Sequence, residues 1–181
     1  QTWTPTDPAA KWTGLLIEPA AAEPLARLRE TERFTVLESW GDTTLGMVTG
    51  NNRYFTLSPA RVRELGLTRR DLIRLCPPGS THLRGLELSR EMMTALGRRG
   101  QATWLFAPSD DPSPAARDYI DTGHRAGVDQ AYKCRVRDPW YRVPVQRPAD
   151  LLLTCMNADS PRLTTNSAGD RHLNSVHGDY L

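Results

Sequence analysis

Short apolar segments alternate with polar ones along this chain, without the regular strand–helix rhythm of a parallel sheet. Ser58 and Ser89 each precede a helical stretch, because a serine hydroxyl can accept a hydrogen bond from a free backbone N–H of the first turn. Helices are predicted over residues 20–33, 59–65, 69–76, 90–96 and 115–122. Strands are predicted over residues 34–40, 83–88, 102–107 and 151–156.

Residues 44–57 carry two apolar segments on either side of a Thr-Gly-Asn-Asn turn. Gly50 and Asn51 tolerate a positive φ, so this pattern predicts a hairpin or a tight strand–loop–strand. Together the elements predict an α+β fold of mixed, irregular type. We expect a single domain with short helices around small mixed or antiparallel sheets, over residues 36–181, preceded by an arm and helix over residues 1–35.

Basic side chains concentrate in the middle of the chain. The formal charge is −3 over residues 1–42, +7 over residues 43–147 and −2 over residues 148–181. A basic middle attracts a polyanion, and a solvated surface without a partner is the alternative. Of the 23 basic residues 21 are arginine, whose planar fork of donors suits phosphates and guanine edges.

Known catalytic and cofactor motifs are absent from the sequence: it contains no GxGxxG, GxxxxGK[ST], HExxH or GxSxG. Cys76, Cys134 and Cys155 are widely spaced, which indicates reduced thiols in a cytoplasmic protein rather than disulfides or a zinc site. No apolar run reaches 18 residues, so a membrane partner is not expected. We therefore predict no catalytic, cofactor-binding or metal-binding residue in this chain.

Three segments carry side chains suited to nucleic acid. The first joins the two apolar segments of residues 44–57, and short polar and basic side chains on such a loop can reach base edges or phosphates. Its candidate DNA contacts are Thr49, Asn51, Asn52 and Arg53. An ordinary hairpin turn is the alternative.

The second segment, residues 132–143, is basic and aromatic. A strand over residues 132–137 would place three cations on one face and the apolar residues on the other, which suits a surface that follows phosphates. The candidate contacts are Lys133, Arg135, Arg137 and Arg142. The alternative is an edge strand protected by its charges, with Trp140 and Tyr141 in the core.

The third segment is the polar tail. Amide and guanidinium groups are the natural readers of adenine and guanine, whereas a polar loop that caps its own backbone is the alternative. The candidate contacts are Arg162, Asn166, Arg171 and Asn174. His172 and His177 are five residues apart, a weak spacing for a metal site.

Three separated motifs resemble one family. They are a G-x-x-T-G-x-N-x-x-F stretch at residues 46–55, a "YI..G...G" segment that leads to R-x-x-W-Y at residues 119–141, and a tail with paired asparagines. In order and spacing they are similar to the C-terminal target-recognition domain of Taq-type, gamma-class adenine-N6 DNA methyltransferases of restriction–modification systems. The likeness covers about residues 36–181, and it departs where the family has Gly-Glu and this chain has Gly123-His124.

The resemblance implies a function. In such enzymes an N-terminal catalytic domain binds S-adenosylmethionine and carries an NPPY-type motif, the C-terminal domain contacts double-stranded DNA, and the target adenine is flipped out of the helix. This chain has no NPPY motif. It is therefore expected to bind DNA without catalysing a reaction alone, with residues 1–35 as the linker from a missing catalytic domain of the same polypeptide. Gly50, Phe55 and Trp140 are expected to support the fold.

Two other classes of function stay open on sequence alone. A stand-alone enzyme with an unrecognised site would turn over a substrate as the purified chain. A protein-interaction module would bind a protein partner through its acidic ends, independently of DNA.

Overall fold

The computed structural model describes residues 18–31, 33, 35–154, 160–174 and 176–180. The chain divides into two compact units at Trp40–Gly41. In the first unit, α1 (Pro19–Arg29) accounts for the helix predicted over residues 20–33. The strand predicted over residues 34–40 is wrong, because a single 3-10 turn with no buried residue, Leu37–Ser39, occupies its described part.

The second unit holds the remaining described helices and strands. Its helices are α2 (Asn52–Phe55), α3 (Pro59–Glu64), α4 (Arg90–Arg98), α5 (Pro114–Arg125) and α6 (Tyr132–Arg135). Its strands are β1 (Asp42–Leu45), β2 (Thr56–Leu57), β3 (Leu72–Arg74), β4 (Trp104–Phe106), β5 (Leu151–Thr154), β6 (Leu163–Thr165) and β7 (Val176–Tyr180).

The strands form two small antiparallel sheets, with orders β1-β7-β5-β6 and β2-β4-β3. β7, the last strand, lies between β1 and β5, so the two ends of the unit share one sheet. Short helices around small antiparallel sheets confirm the predicted α+β class.

Three serine-capped helices follow from local sequence. Ser58, Ser89 and Ser113 each accept a hydrogen bond from a first-turn backbone N–H of α3, α4 and α5. α5 continues through Gly123 to Arg125, beyond the helix predicted over residues 115–122. A Cβ at Gly123 would come 2.7 Å from the Tyr54 ring, so this glycine serves close packing.

The hairpin or tight strand–loop–strand predicted over residues 44–57 is wrong, because the helical turn α2 lies directly before β2. Asn51 caps α2 by accepting a hydrogen bond from Tyr54 N at 3.2 Å, and the helical turn directs both Tyr54 and Phe55 into the core. β1 consequently pairs with β7, and β2 pairs with β4.

Two further predicted elements differ from the structure. The helix predicted over residues 69–76 is a 3-10 turn, Arg69–Asp71, followed by β3, because β3 pairs with β4. Residues 83–88 form no strand, and only Glu87 makes a β-bridge, to Thr165.

The strand predicted over residues 132–137 is wrong as well, and so is the shared cationic face derived from it. Residues Tyr132–Arg135 form α6, whose first turn closes with a hydrogen bond from Arg135 N to Ala131 O at 2.9 Å. Cys134 is fully buried, whereas Tyr132 and Val136 are more than half exposed. The alternation of apolar and charged residues over six positions fits a helical turn in which only Cys134 is buried.

The larger core cluster is aromatic. The Tyr54 and Tyr119 rings stack at 4.5 Å. The Tyr54 hydroxyl donates to Tyr119 O at 2.9 Å, and the Tyr119 hydroxyl donates to Tyr54 O at 2.8 Å. Phe55 is fully buried and Trp140 packs against this cluster, so their predicted structural roles are confirmed. The cluster holds α2, which directly follows the predicted DNA-contacting residues Thr49 and Asn51, against α5.

Candidate nucleic-acid interface

The loop over residues 46–53 is held by its own side chains. The Thr49 hydroxyl is buried, donates to Asn52 Oδ1 at 2.6 Å and accepts from Asn51 N at 3.2 Å. Asn51 in turn caps α2. Thr49 and Asn51 therefore shape the loop, and the polar side chains that it exposes are those of Asn52 and Arg53.

This loop lies directly on α6. Gly50 has a φ of +89°, and a Cβ on it would come 2.9 Å from the Lys133 Cβ and 3.1 Å from the Cys134 Sγ. Burial raises the pKa of the Cys134 thiol, which keeps the thiol neutral at this contact. Two candidate segments that are some eighty residues apart in sequence are thus in contact.

Arg137 stabilises the same contact between the loop and α6. Its Nη1 donates to Thr49 O at 2.7 Å and its Nη2 donates to Val48 O at 2.6 Å. Partial burial lowers the pKa of Arg137 from its ordinary value. Since both terminal nitrogens bind loop carbonyls, this guanidinium positions the loop. A direct DNA contact by Arg137 stays a prediction.

The exposed polar and basic side chains that Asn52, Arg53 and α6 present at this junction form what we call the loop–α6 surface. Its members are Asn52, Arg53, Lys133 and Arg135. The Lys133 ammonium lies 5.6 Å from the centroid of the exposed Tyr132 ring. The surface thus offers one carboxamide and three cations on a backbone that α6 and Arg137 hold in place.

The polar tail reaches the base of the loop. Met47 N donates to His172 O at 3.0 Å, and Asn174 N donates to Met47 O at 3.0 Å. A Cβ on Gly46 would come 2.3 Å from the backbone of Leu173, so the chain needs glycine there. Residues 171–174 are thereby brought beside the loop, with the Asn174 side chain exposed.

Three other predicted contacts lie apart from this junction. Asn166 is buried, and its Nδ2 donates to Ala149 O at 2.7 Å and to Asp170 O at 2.8 Å, which is a role in the fold. Arg142 pairs with Asp110. Arg162 is exposed, and its backbone N–H donates to the Thr154 hydroxyl at 2.8 Å. Their contacts with DNA remain predictions.

Arg171 lines an open groove of about 600 Å³ that the sequence did not indicate. Arg69, Arg74 and Arg90 line the same groove. The abundance of arginine in residues 61–99 was a signal for a basic surface, but nothing in the sequence places Arg171 beside Arg74.

The described residues offer little for catalysis. Cys76 Sγ lies 3.0 Å from His82 Nε2, yet burial raises the pKa of the Cys76 thiol to about 12 and lowers that of His82. A neutral, buried thiol is a poor nucleophile. No group of three His, Cys, Asp or Glu side chains suited to a metal ion occurs in the described part of the chain, and none of its helices could span a membrane.

The fold and this junction define a small α+β domain with a basic surface and no recognisable catalytic centre among its described residues. Over residues 9–181 the chain matches the family described as "Type II methyltransferase M.Eco57I, C-terminal domain". The chain belongs to this family, which confirms the resemblance to a methyltransferase C-terminal domain.

Two curated relatives are themselves type II methyltransferases. M.AccI of Acinetobacter calcoaceticus is 22% identical over 132 residues, which are 73% of this chain and 24% of the relative. M.XamI of Xanthomonas campestris pv. amaranthicola is 26% identical over 183 residues, 95% of this chain and 31% of the relative. The chain thus spans 24% and 31% of the length of these two relatives.

Proposed function

We propose that this chain is the DNA target-recognition domain of an adenine-N6 DNA methyltransferase of a restriction–modification system. Its partners are double-stranded DNA and a catalytic domain of the same polypeptide, in the cytoplasm. Membership in a family of methyltransferase C-terminal domains supports this proposal. The observation that carries it is the loop–α6 surface, in which two segments that meet at Gly50 expose one carboxamide and three cations.

The loop–α6 surface has the chemistry of a base reader. A carboxamide such as that of Asn52 pairs with adenine through its amide, and the fork of Arg53 or Arg135 pairs with the O6 and N7 atoms of guanine. Lys133, a compact point charge, suits a phosphate. The carbonyl of Asn52 already accepts from Thr49 Oγ1, which orients the amide before any DNA binds.

The methylation chemistry belongs, in this proposal, to the catalytic domain. That domain binds S-adenosylmethionine and receives the flipped adenine, while this chain selects the sequence. The 181-residue chain is therefore expected to transfer no methyl group from S-adenosylmethionine to DNA.

Selection from a randomised duplex pool tests the proposal. The purified chain is incubated with the pool at 50 and 150 mM NaCl, and the retained duplexes are sequenced. We expect enrichment of a short motif that contains adenine. Asn52→Ala should relax the preference at one position at a cost of about 1–3 kcal/mol in discrimination.

The other outcomes contradict the proposal at different points. Retention without enrichment would show a DNA-binding domain that does not choose its target. An absence of retention at both salt concentrations would rule out DNA binding by this chain. Enrichment of a motif without adenine would remove the adenine-N6 assignment alone.

A further inference from the structure

One face of α4 is a row of polar and basic side chains. Arg90, Thr94 and Arg98 follow one another at intervals of four residues, so they lie on the same side of the helix. Met93 on another side is fully buried. The polar face lines two adjoining hollows, of about 600 and about 500 Å³, that share Arg74, Thr94 and Trp104.

Together these two hollows form what we call the α4 groove. Six of the described residues that line it are arginines: Arg63, Arg69, Arg74, Arg90, Arg98 and Arg171. Asp170 is the one acidic residue among the described residues of this lining. The groove therefore carries a formal excess of five positive charges, against +2 for the whole chain.

Asp170 and Trp104 fix one arginine at the centre of the groove. The Arg74 guanidinium lies 3.3 Å from Asp170 Oδ2 and 5.1 Å from the centroid of the Trp104 ring. Burial raises the pKa of Asp170, although Arg74, Arg90 and Arg171 oppose this shift. The aspartate thus forms its ion pair with Arg74 and interacts with Arg90 and Arg171 only at longer range.

Four arginines of the groove are available to a ligand. No ion pair joins a side chain of Arg63, Arg69, Arg90 or Arg98 to a carboxylate of any residue that the structure describes. A concentration of unmatched guanidinium groups costs electrostatic free energy that a bound polyanion would offset. This charge pattern favours a partner with closely spaced negative charges.

We propose that the α4 groove binds the phosphodiester backbone of the DNA whose sequence the loop–α6 surface reads, an inference that rests on the proposed function. Arg90 and Arg98 are eight residues apart, or about 12 Å along the helix axis. Phosphates of one strand follow at about 3.4 Å along the duplex axis. Arg90 and Arg98 are therefore spaced to reach two phosphates of one strand that are a few nucleotides apart.

The groove is connected to the loop–α6 surface by a short segment. Residues 171–174 run from Arg171 in the groove to Asn174 beside Met47 at the base of the loop. Leu75 and Met47 form β-bridges to Arg171 and Leu173, respectively, which hold this segment in place. A duplex that contacts both surfaces would gain its sequence-independent affinity at the groove and its sequence preference at the loop.

The salt dependence of duplex binding tests this division. Binding of one labelled duplex is measured by fluorescence anisotropy between 50 and 200 mM NaCl for the wild-type 181-residue chain and Arg90→Ala/Arg98→Ala. Since each neutralised phosphate contributes about 0.9 to the slope of log K against log salt, the double variant should lower this slope by about 2. Its sequence preference in the pool experiment should stay that of the wild type.

Two further variants control for charge and folding. Arg117→Ala/Arg125→Ala removes the same charge from α5, outside the groove, and should keep the wild-type slope. Arg90→Lys/Arg98→Lys keeps the charge and should restore the slope. Thermal unfolding monitored by circular dichroism confirms that each variant is folded.

The possible failures are distinct. An unchanged slope for Arg90→Ala/Arg98→Ala would contradict DNA binding by the α4 groove, and so would an equal decrease in slope for the α5 control. The enriched motif would still support target recognition in either case. A loss of sequence preference with the slope intact would make the groove a base-reading site instead and would also overturn the inference. If the wild-type chain binds no DNA, both the inference and the proposed function fail.

Discussion

Gly50 connects backbone conformation with the contact between two distant segments. Its φ of +89° is unfavourable for a residue with a side chain, and α6 occupies the place where a Cβ would lie. Glycine is therefore required at this position for two independent reasons, and substitution can separate them.

The first prediction concerns Gly50→Ala. We expect a loss of about 1–2 kcal/mol in the free energy of unfolding from the left-handed backbone conformation, and about 1–3 kcal/mol more from the clash with Lys133 and Cys134. Urea denaturation followed by circular dichroism measures the total loss in the free energy of unfolding. Gly127→Ala is the matched control, because Gly127 has a φ of +72° and nothing within 4 Å of its Cβ position. Equal losses for the two variants would show that α6 does not press on the loop.

At the scale of elements, Asp71 joins the turn before β3 to the start of α5. Its carboxylate accepts from the backbone N–H and hydroxyl of Thr68, at 3.0 and 2.7 Å. It also accepts from the backbone N–H and hydroxyl of Ser113, at 3.2 and 2.7 Å. Burial raises the pKa of Asp71, but these hydrogen bonds outweigh it and hold the pKa below its usual value.

The second prediction is a pH dependence from this carboxylate. Because the folded pKa is lowered, the stabilisation is fully present above the unfolded pKa of about 3.9 and is lost as the pH falls through the lower folded pKa. Asp71→Asn should therefore be less stable than the wild type at pH 7, and the gap should narrow below about pH 4. Urea denaturation at a series of pH values measures this gap. A gap that is constant from pH 7 to pH 3 would contradict the role of the ionised carboxylate.

Elements with local signals were predictable from sequence. α3 and α4 follow capping serines, and β4 is an apolar run, so neighbouring residues suffice to define them. α2 and α6 are single turns whose burial depends on partners far along the chain, and alternation over a few residues does not separate such a turn from a strand. Residues 83–88 have apolar alternation but reach only one bridging partner, which no local pattern reveals.

The candidate site was predictable as a set of residue types and not as an arrangement. Asn52, Arg53, Lys133 and Arg135 were recognised from their chemistry, but the contact between Gly50 and α6 is a tertiary one. Asn166 is buried, but the sequence alone does not distinguish it from an exposed asparagine that could contact a base. The α4 groove was missed because its arginines come from segments that only the fold assembles.

At the scale of the whole molecule, the second unit contains every residue of the loop–α6 surface and of the α4 groove. No described residue of the first unit belongs to either surface. The recognition function is therefore expected to belong to residues 41–181, close to the boundary at residue 36 expected from the sequence.

The third prediction follows from this location. A chain of residues 41–181 should bind the selected duplex within about threefold of the 181-residue chain, a difference below about 0.7 kcal/mol. Fluorescence anisotropy measures the affinity, and circular dichroism confirms that the shorter chain folds. A much weaker complex from a folded 41–181 chain would assign part of the DNA contact to residues 1–40.

The junction at Gly50 also determines when, during translation, the loop over residues 46–53 can reach its final conformation. The loop leaves the ribosome early, but Arg137, whose guanidinium holds Val48 O, follows 89 residues later, and the Asn174 N–H that binds Met47 O comes later still. Since a nascent chain emerges from its N-terminus onward, no growing chain has the loop in its final geometry until almost the whole domain has emerged. If the domain recognises DNA as proposed, we expect this affinity to arise only after residue 174 has emerged.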